Sequence, residues 1–325
     1  MTMKFFKEKL KHPKKIGLAL GSGSARGWAH IGVIHALTEA GIPVDYVAGT
    51  SIGAVVGAVY AVGRIDSLEE MALQFDWKMI IRFLDVVFPK SGLIDGKKVA
   101  DFIREHVEGK NIENFTLPFC TVSTDLATGC EVVIKEGDSI EAVRASISVP
   151  GVFTPVRRNS SVLVDGGLVN PVPVSVVRQM GADFVIAVDL NHDVVGKKGI
   201  GKKSGSSSNT FEPDTGTEEF PQKGNKIMDI LNKKIGTLDF PALAHIRQWM
   251  SKDPLPNIFE VIMSSINIME TQITTTRMKT DLPDLLIQPN LGHIRFLEFN
   301  RAQEAILEGY REMKAHAGLL PGKGG

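Results

Sequence analysis

The first 63 residues alternate twice between a short apolar run and a helical pattern, and both junctions carry glycine. Residues 16–20 run into Gly21-Ser-Gly-Ser-Ala-Arg-Gly27. Ala29, Val33, Ile34, Leu37 and Ala40 then recur at helical spacing and stop at Gly41. A second apolar run, residues 44–48, leads to the apolar helix SIGAVVGAVYAV at residues 51–62. Strand, helix, strand, helix is the order of a parallel sheet crossed by helices, so the fold class is α/β.

The rest of the chain continues in that style. Residues 66–110 read as mostly helical with an irregular break at 89–96. Residues 118–125 (PFCTVSTD) and 131–135 (EVVIK) read as strands around the turn Ala127-Thr-Gly129. A helical pattern at 139–146 precedes Pro150. A short strand at 162–164 enters Asp165-Gly-Gly167, a helix follows at 175–180, and a buried-type strand (FVIAVD) lies at 184–189. Residues 191–226 are rich in Gly, Ser, Lys and acids and read as a disordered insertion. Helical spacing returns at 259–279, a strand at 285–288 and a closing helix at 298–313. No internal repeat is present. The expected organisation is a basic tail, 1–14, and one domain, 15–325, interrupted by that insertion.

Charge and cysteine usage narrow the function. The 37 basic and 37 acidic side chains cancel, which argues against nucleic acid as a partner. Two cysteines, Cys120 and Cys130, make no disulfide framework and fit a reducing compartment. No run reaches the roughly 18 apolar residues of a spanning helix. The expected location is cytoplasmic, with peripheral contact at a membrane left open. Phe5, Phe6 and Leu10 among lysines fit either a solvated tail or a short interfacial helix.

Three motifs carry chemistry. The stretch Gly21–Gly27 joins a strand to a helix start, so its backbone N–H groups are free for an anion or a forming oxyanion. It lacks the third glycine position of a dinucleotide fingerprint and the Gly-Lys-Ser/Thr ending of a P-loop, which counts against a nucleotide-binding reading. Val47-Ala-Gly-Thr-Ser-Ile-Gly-Ala54 sets Ser51 between Gly49 and Gly53 at G-x-S-x-G spacing. Ser51 fits a nucleophile on a strand-to-helix turn and equally fits a helix N-cap, and the two roles are compatible. A nucleophilic serine needs a base. Of the histidines weighed, His192, His245, His293 and His316 lie downstream without a catalytic neighbourhood, and His30 and His35 read as structural. Asp165, at a strand end before Gly166 and Gly167, is the better candidate, although a lone D-G-G is commonly a turn. No cluster of His, Cys or carboxylates has metal-ligand spacing, and no cofactor is expected.

A glycine-rich loop, then G-x-S-x-G, then D-G-G, in that order, resembles the patatin-like phospholipases. The segments Ser123-Thr-Asp-Leu-Ala-Thr-Gly129, Arg144-Ala-Ser-Ile-Ser-Val-Pro-Gly-Val-Phe153 and Val164-Asp-Gly-Gly-Leu-Val-Asn-Pro-Val-Pro173 are similar as well. The resemblance covers roughly residues 15–190 and is stronger toward the bacterial and neuropathy-target-esterase-like branch. It implies a three-layer α/β/α fold with a mostly parallel central sheet. It implies Ser51 as nucleophile and Asp165 as its base, in a dyad without histidine. It implies an oxyanion hole at the N–H groups of Ser22, Gly23 and Ser24, with Arg26 bracing the loop. Ser22 and Ser24 stand where the family usually has glycine, so their side chains are expected to narrow the pocket or restrict the loop.

A water-exposed aspartate, with pKa near ~3.9, is a poor base for a hydroxyl. Partial burial is expected to raise it. The implied activity is hydrolysis of fatty-acyl esters of phospholipids or lysophospholipids, with residues 79–88 and 258–263 offered as an acyl groove or as core. A non-catalytic lipid-binding or regulatory protein on the same fold is the alternative. The expected partners are a lipid or lysolipid substrate, with membrane contact and a homodimer left open.

Overall fold

The structure, a computed structural model, describes residues 14–76, 79, 96–194 and 258–321. Eight strands form one sheet: β1 (Ile16–Leu20), β2 (Tyr46–Thr50), β3 (Phe119–Asp125), β4 (Glu131–Ile134), β5 (Val156–Arg158), β6 (Ser161–Asp165), β7 (Phe184–Val188) and β8 (Leu285–Ile287). Their order is β5-β6-β3-β2-β1-β7-β8, with β4 also paired to β3. The β1–β2, β1–β7, β2–β3 and β7–β8 pairs are parallel, while β4, β5 and β6 pair antiparallel at one side. The parallel order inferred from the first 63 residues, and the mostly parallel sheet implied by the resemblance, are therefore present.

The helices among the described residues are α1 (Ala29–Glu39), α2 (Ile52–Ala61), α3 (Ile65–Leu73), α4 (Lys97–Val107), α5 (Ser139–Ser146), α6 (Val174–Gln179), α7 (Ile258–Arg277) and α8 (Ala302–Ala315). By contacts the chain divides into one unit of residues 1–197 with 263–325 and another of 198–262. Most of the second unit lies outside the described residues, as do residues 1–13 of the tail.

Strand alternation sorts the core into two layers. Leu18, Leu20, Val47, Ile186 and Val188 pack in the larger cluster with residues of α1, α2, α5 and α8. Ala19, Ala48, Val122, Val185 and Ala187 face the other way, onto Val174, Val176 and Val177 of α6. The second face is built from smaller side chains, which lets the short α6 lie close to the sheet. The sheet is thus covered by helices on both faces, the three-layer arrangement expected.

One strand went unread in the sequence, and one boundary is corrected. The strand β5 had no apolar pattern to announce it, being Val-Arg-Arg paired only at the sheet's edge with β6. The closing helix starts later than read, since a 3-10 turn fills Phe299–Arg301 before α8.

Candidate active site

The register of β3 brings two distant motifs together. Thr50, the last residue of β2, pairs with Val122, and Asp165, the last residue of β6, pairs with the next residue, Ser123. Ser51 and Asp165 are thus delivered to neighbouring positions beside the middle of β3, where β2 and β6 end. Ser146 fixes the junction: its hydroxyl donates to the Val122 carbonyl at 2.6 Å and accepts from the Ser51 N–H at 2.9 Å. The Ser51 hydroxyl donates to Asp165 Oδ2 at 2.6 Å.

The turn that carries Ser51 is strained. Its φ is 56° and ψ −125°, a region that is nearly closed to residues with a side chain. The flanking glycines make the turn possible by absence of bulk. A Cβ at Gly49 would lie 2.3 Å from the Gly53 carbonyl oxygen, and one at Gly53 would lie 2.2 Å from the Leu20 carbonyl oxygen. Ser51 occupies the N-cap position of α2, but its side chain makes no cap hydrogen bond. The hydroxyl is committed to Asp165 instead, which corrects the reading of Ser51 as a side-chain cap.

Asp165 is buried, and its Oδ1 accepts the Gly167 N–H at 2.7 Å. Burial pushes its carboxyl up to about 7, against the pull of the Ser51 hydroxyl and the Gly167 N–H. A base near neutrality is matched to taking a proton from a hydroxyl at physiological pH.

The glycine-rich stretch lies beside this pair. Gly23, Ser24, Arg26, Ser51, Asp165 and Glu270 line one small cleft together with apolar residues such as Leu168 and Ile266; its volume is about 10 Å³, enough for roughly one water molecule. The N–H groups of Gly23 and Ser24 have no hydrogen-bond partner among the described residues. The Ser22 N–H, by contrast, donates to the Pro171 carbonyl at 2.8 Å. The free donors therefore narrow from three residues to two. Nor does the Ser22 side chain narrow the pocket: it is buried and accepts from Asn191 Nδ2 at 3.1 Å. Ser24 sits at φ 51° with its hydroxyl on the Phe296 carbonyl at 2.6 Å. The side chain that the sequence marked as a departure is used to anchor the loop.

Arg26 braces the loop from behind. Its guanidinium is buried and donates to the Ile294 carbonyl (3.1 Å), Asn191 Oδ1 (2.7 Å) and Asn267 Oδ1 (3.3 Å). His30 donates to the Gly21 carbonyl at 2.8 Å, and burial pulls its imidazole down to about 4, so it is neutral. The remaining described histidines of the sequence list sit by acids elsewhere: His35 by Glu69, His192 by Asp193, His293 by Glu304 and His316 by Glu312. None is bonded to Ser51 or Asp165. His245 lies outside the described residues.

A second, apolar cavity of about 140 Å³ opens from the same serine. Ser24 and Ser51 meet Trp28, Ile52, Phe75, Phe102, Val149 and Phe299 there. Trp28, Phe75 and Phe299 pack at centroid distances of 5.9–6.0 Å. The indole N–H of Trp28 is satisfied by the Phe299 carbonyl at 3.1 Å, leaving an apolar ring for the wall. Among the described residues the lining comes from this set, and 258–263, one of the two groove segments read in the sequence, contribute none of it. Of the other, 79–88, only Met79 is described.

Sequence reasoning missed Asn191 and Glu270. Asn191 opens the stretch read as a disordered insertion, yet it is buried and bonded to Arg26, Ser22 and Glu270. Residues 195–226 of that stretch lie outside the described residues. Among the described residues no group of three or more His, Cys, Asp or Glu side chains is placed to hold a metal ion. No helix among them is long and apolar enough to cross a membrane.

Comparison with known proteins places the sequence in a family. The model of the patatin-like phospholipases matches residues 18–178. An uncharacterised NTE family protein of Mycobacterium tuberculosis is 32% identical over 332 residues, covering 91% of this chain and 89% of that one. The neuropathy target esterase of Drosophila melanogaster is 36% identical over 181 residues, 54% of this chain but 13% of that protein. Human patatin-like phospholipase domain-containing protein 6 is 38% identical over 182 residues, again 54% of this chain and 13% of that protein.

Proposed function

Because the chain belongs to the NTE branch of the patatin-like phospholipase family, we propose that Ser51 and Asp165 form the catalytic dyad of a lipid ester hydrolase. We further propose that its substrates are fatty-acyl esters of phospholipids or lysophospholipids. Family membership supports lipid ester hydrolysis. The observation that carries the residue assignment is the 2.6 Å bond from the Ser51 hydroxyl to a buried carboxylate, beside two backbone N–H groups without a partner among the described residues.

In this reading Ser51 Oγ attacks the ester carbonyl carbon while its proton passes to Asp165 Oδ2. The carbonyl oxygen becomes an oxyanion and takes the N–H bonds of Gly23 and Ser24. Each such donor is worth roughly 3–4 kcal/mol in the transition state. Collapse breaks the bond to the alcohol oxygen, which receives the proton from Asp165 and leaves as the lysolipid or glycerophosphoryl alcohol. The acyl chain stays on Ser51. Water then attacks the acyl carbon, gives a proton to Asp165, and the fatty acid leaves as that proton returns to Ser51 Oγ. The apolar cavity at Ser51 supplies a place for the acyl chain, where each buried CH₂ contributes about 0.8 kcal/mol.

The test is fatty-acid release from a lysophospholipid by the wild-type chain and by Ser51→Ala. Loss of release in the variant, with the thermal transition unchanged, is expected. Equal release by the two proteins overturns the assignment.

A further inference from the structure

Glu270, on α7, is a buried acid for which the dyad has no use. Its Oε2 accepts from Asn191 Nδ2 at 2.8 Å, and Ser22 hydrogen-bonds the same carboxyl. Asn191 is itself held by Arg26. The other oxygen lies against the D-G-G turn. A Cβ on Gly167 would be 2.1 Å from Glu270 Oε1 and 3.1 Å from Asp165 Oδ1. The two carboxyl groups flank that one point, so these oxygens lie no more than about 5 Å apart, within the range of strong mutual influence. Glu270 thus touches the residue just before the free donors and the glycine that bonds the base.

Among the described residues no ion pair neutralises Glu270. The Arg26 guanidinium donates through its two terminal nitrogens to Ile294, Asn191 and Asn267, its Nε has no partner among the described residues, and it acts on Glu270 only through space. From the segment after β7, Asp189 and Asp193 act on Arg26. The next charged residue further along α7, Arg277, is paired with Glu131 and Asp281. A buried carboxylate without a cation is costly, and a second one beside it more so.

We propose that Glu270 holds a proton at neutral pH as a positioning residue for the dyad, and that its ionisation closes the reaction at alkaline pH. The neutral carboxyl ties Asn191 and Ser22, and with them the donor loop, to α7. Once ionised, it sets a second negative charge beside Asp165 and against the oxyanion that must form. Burial, then the charge of Asp165, pushes Glu270 up to about 8, above the value of about 7 for Asp165. Two coupled carboxyls lose their protons in two separate steps, so over a range of pH the pair keeps one proton, which this proposal puts on Glu270 while Asp165 serves as base. This inference rests on the reading of Ser51 and Asp165 given above.

The experiment is the pH dependence of kcat/KM from pH 5.5 to 9.5 for wild type and Glu270→Gln, with fluorophosphonate labelling of Ser51 run alongside. Gln keeps the shape and a hydrogen-bonding group but cannot ionise. The wild type is expected to lose about tenfold per pH unit on its alkaline side, as for one essential proton. Glu270→Gln is expected to stay flat there within about twofold, whatever its absolute rate. An unchanged alkaline limb in the variant overturns the proposal. Should Glu270→Gln fail to fold, carbon-13 NMR of glutamate-labelled wild type decides. One carboxyl titrating above pH 7 supports it, and all glutamates titrating below pH 6 overturn it. Absence of label on Ser51 refutes the dyad alone, and the NMR titration then still decides the protonation of Glu270.

Discussion

Two neighbouring strand-to-helix turns in this chain solve opposite problems. The turn after β2 presents a side chain, and the turn after β1 presents backbone. At Ser51 the chain accepts a φ of 56° and ψ of −125°, and bare glycines on both sides let strand and helix close around it. At Gly23 and Ser24 the N–H groups have no partner among the described residues, and the surrounding side chains serve as anchors: Ser24 on Phe296, Ser22 on Asn191, Arg26 on three acceptors. In the proposed reading the first turn offers a nucleophile and the second offers donors held by bracing, and each turn keeps a serine at positive φ. Substitutions should therefore act through the side chain itself in the first turn and through lost rigidity in the second.

The sharpest contrast comes from Ser51→Ala, expected to cost at least about 10³-fold in kcat with no loss of stability. Steady-state fatty-acid release and a thermal melt check both halves. Asp165→Asn follows, at about 10²–10⁴-fold, because the amide keeps the geometry but takes no proton. It carries a stability signature of the opposite sign. The folded value of Asp165 is raised, so the folded state binds its proton more tightly than the unfolded chain does. That stabilisation is full below the unfolded value near pH 4 and is lost as pH rises toward 7. The melting temperature of Asp165→Asn relative to wild type is expected to climb between pH 4 and pH 7. A gap that stays constant breaks the claim that this base is held against its preference.

The bracing side of the comparison is tested by Arg26→Met. It strips partners from Asn191, Asn267 and the Ile294 carbonyl, and is expected to lower kcat about 10–100-fold with little change in KM, since misplaced donors weaken the transition state alone. A rise in KM at constant kcat contradicts a bracing role. The smallest effect is in stability. Ser51→Gly is expected to be more stable than Ser51→Ala by about 1–3 kcal/mol, because glycine alone tolerates the observed backbone angles. Equal melting temperatures for the two variants mean that the turn is not strained.

How much of this was legible in the sequence follows from which contacts are local. The elbow could be read because Gly49, Ser51 and Gly53 meet one another within a single turn. The alternation of β1, α1, β2 and α2 could be read because each element carries its own apolar period. The pairing of Ser51 with Asp165 was supplied by family resemblance, since the register of β3 that joins them leaves no mark in either motif. Glu270 was invisible for the same reason. Its partners are Asn191 and Ser22, 79 and 248 residues away in sequence, and its helix reads as an ordinary amphipathic one. The commitment of the Ser22 N–H to Pro171 was equally hidden, so the donor loop was read one residue too wide. Asn191 was misassigned because composition further along its stretch outweighed a single buried amide.

The most direct measurement of the central claim is reaction of the intact chain with a fluorophosphonate, read by peptide mass spectrometry in wild type and Asp165→Asn. One adduct, on Ser51, forming at least about 100-fold more slowly in the variant, is the result this account predicts. Hydrolysis of a fatty-acyl ester by a chain whose Ser51 stays unmodified, or labelling at the same rate without Asp165, contradicts it.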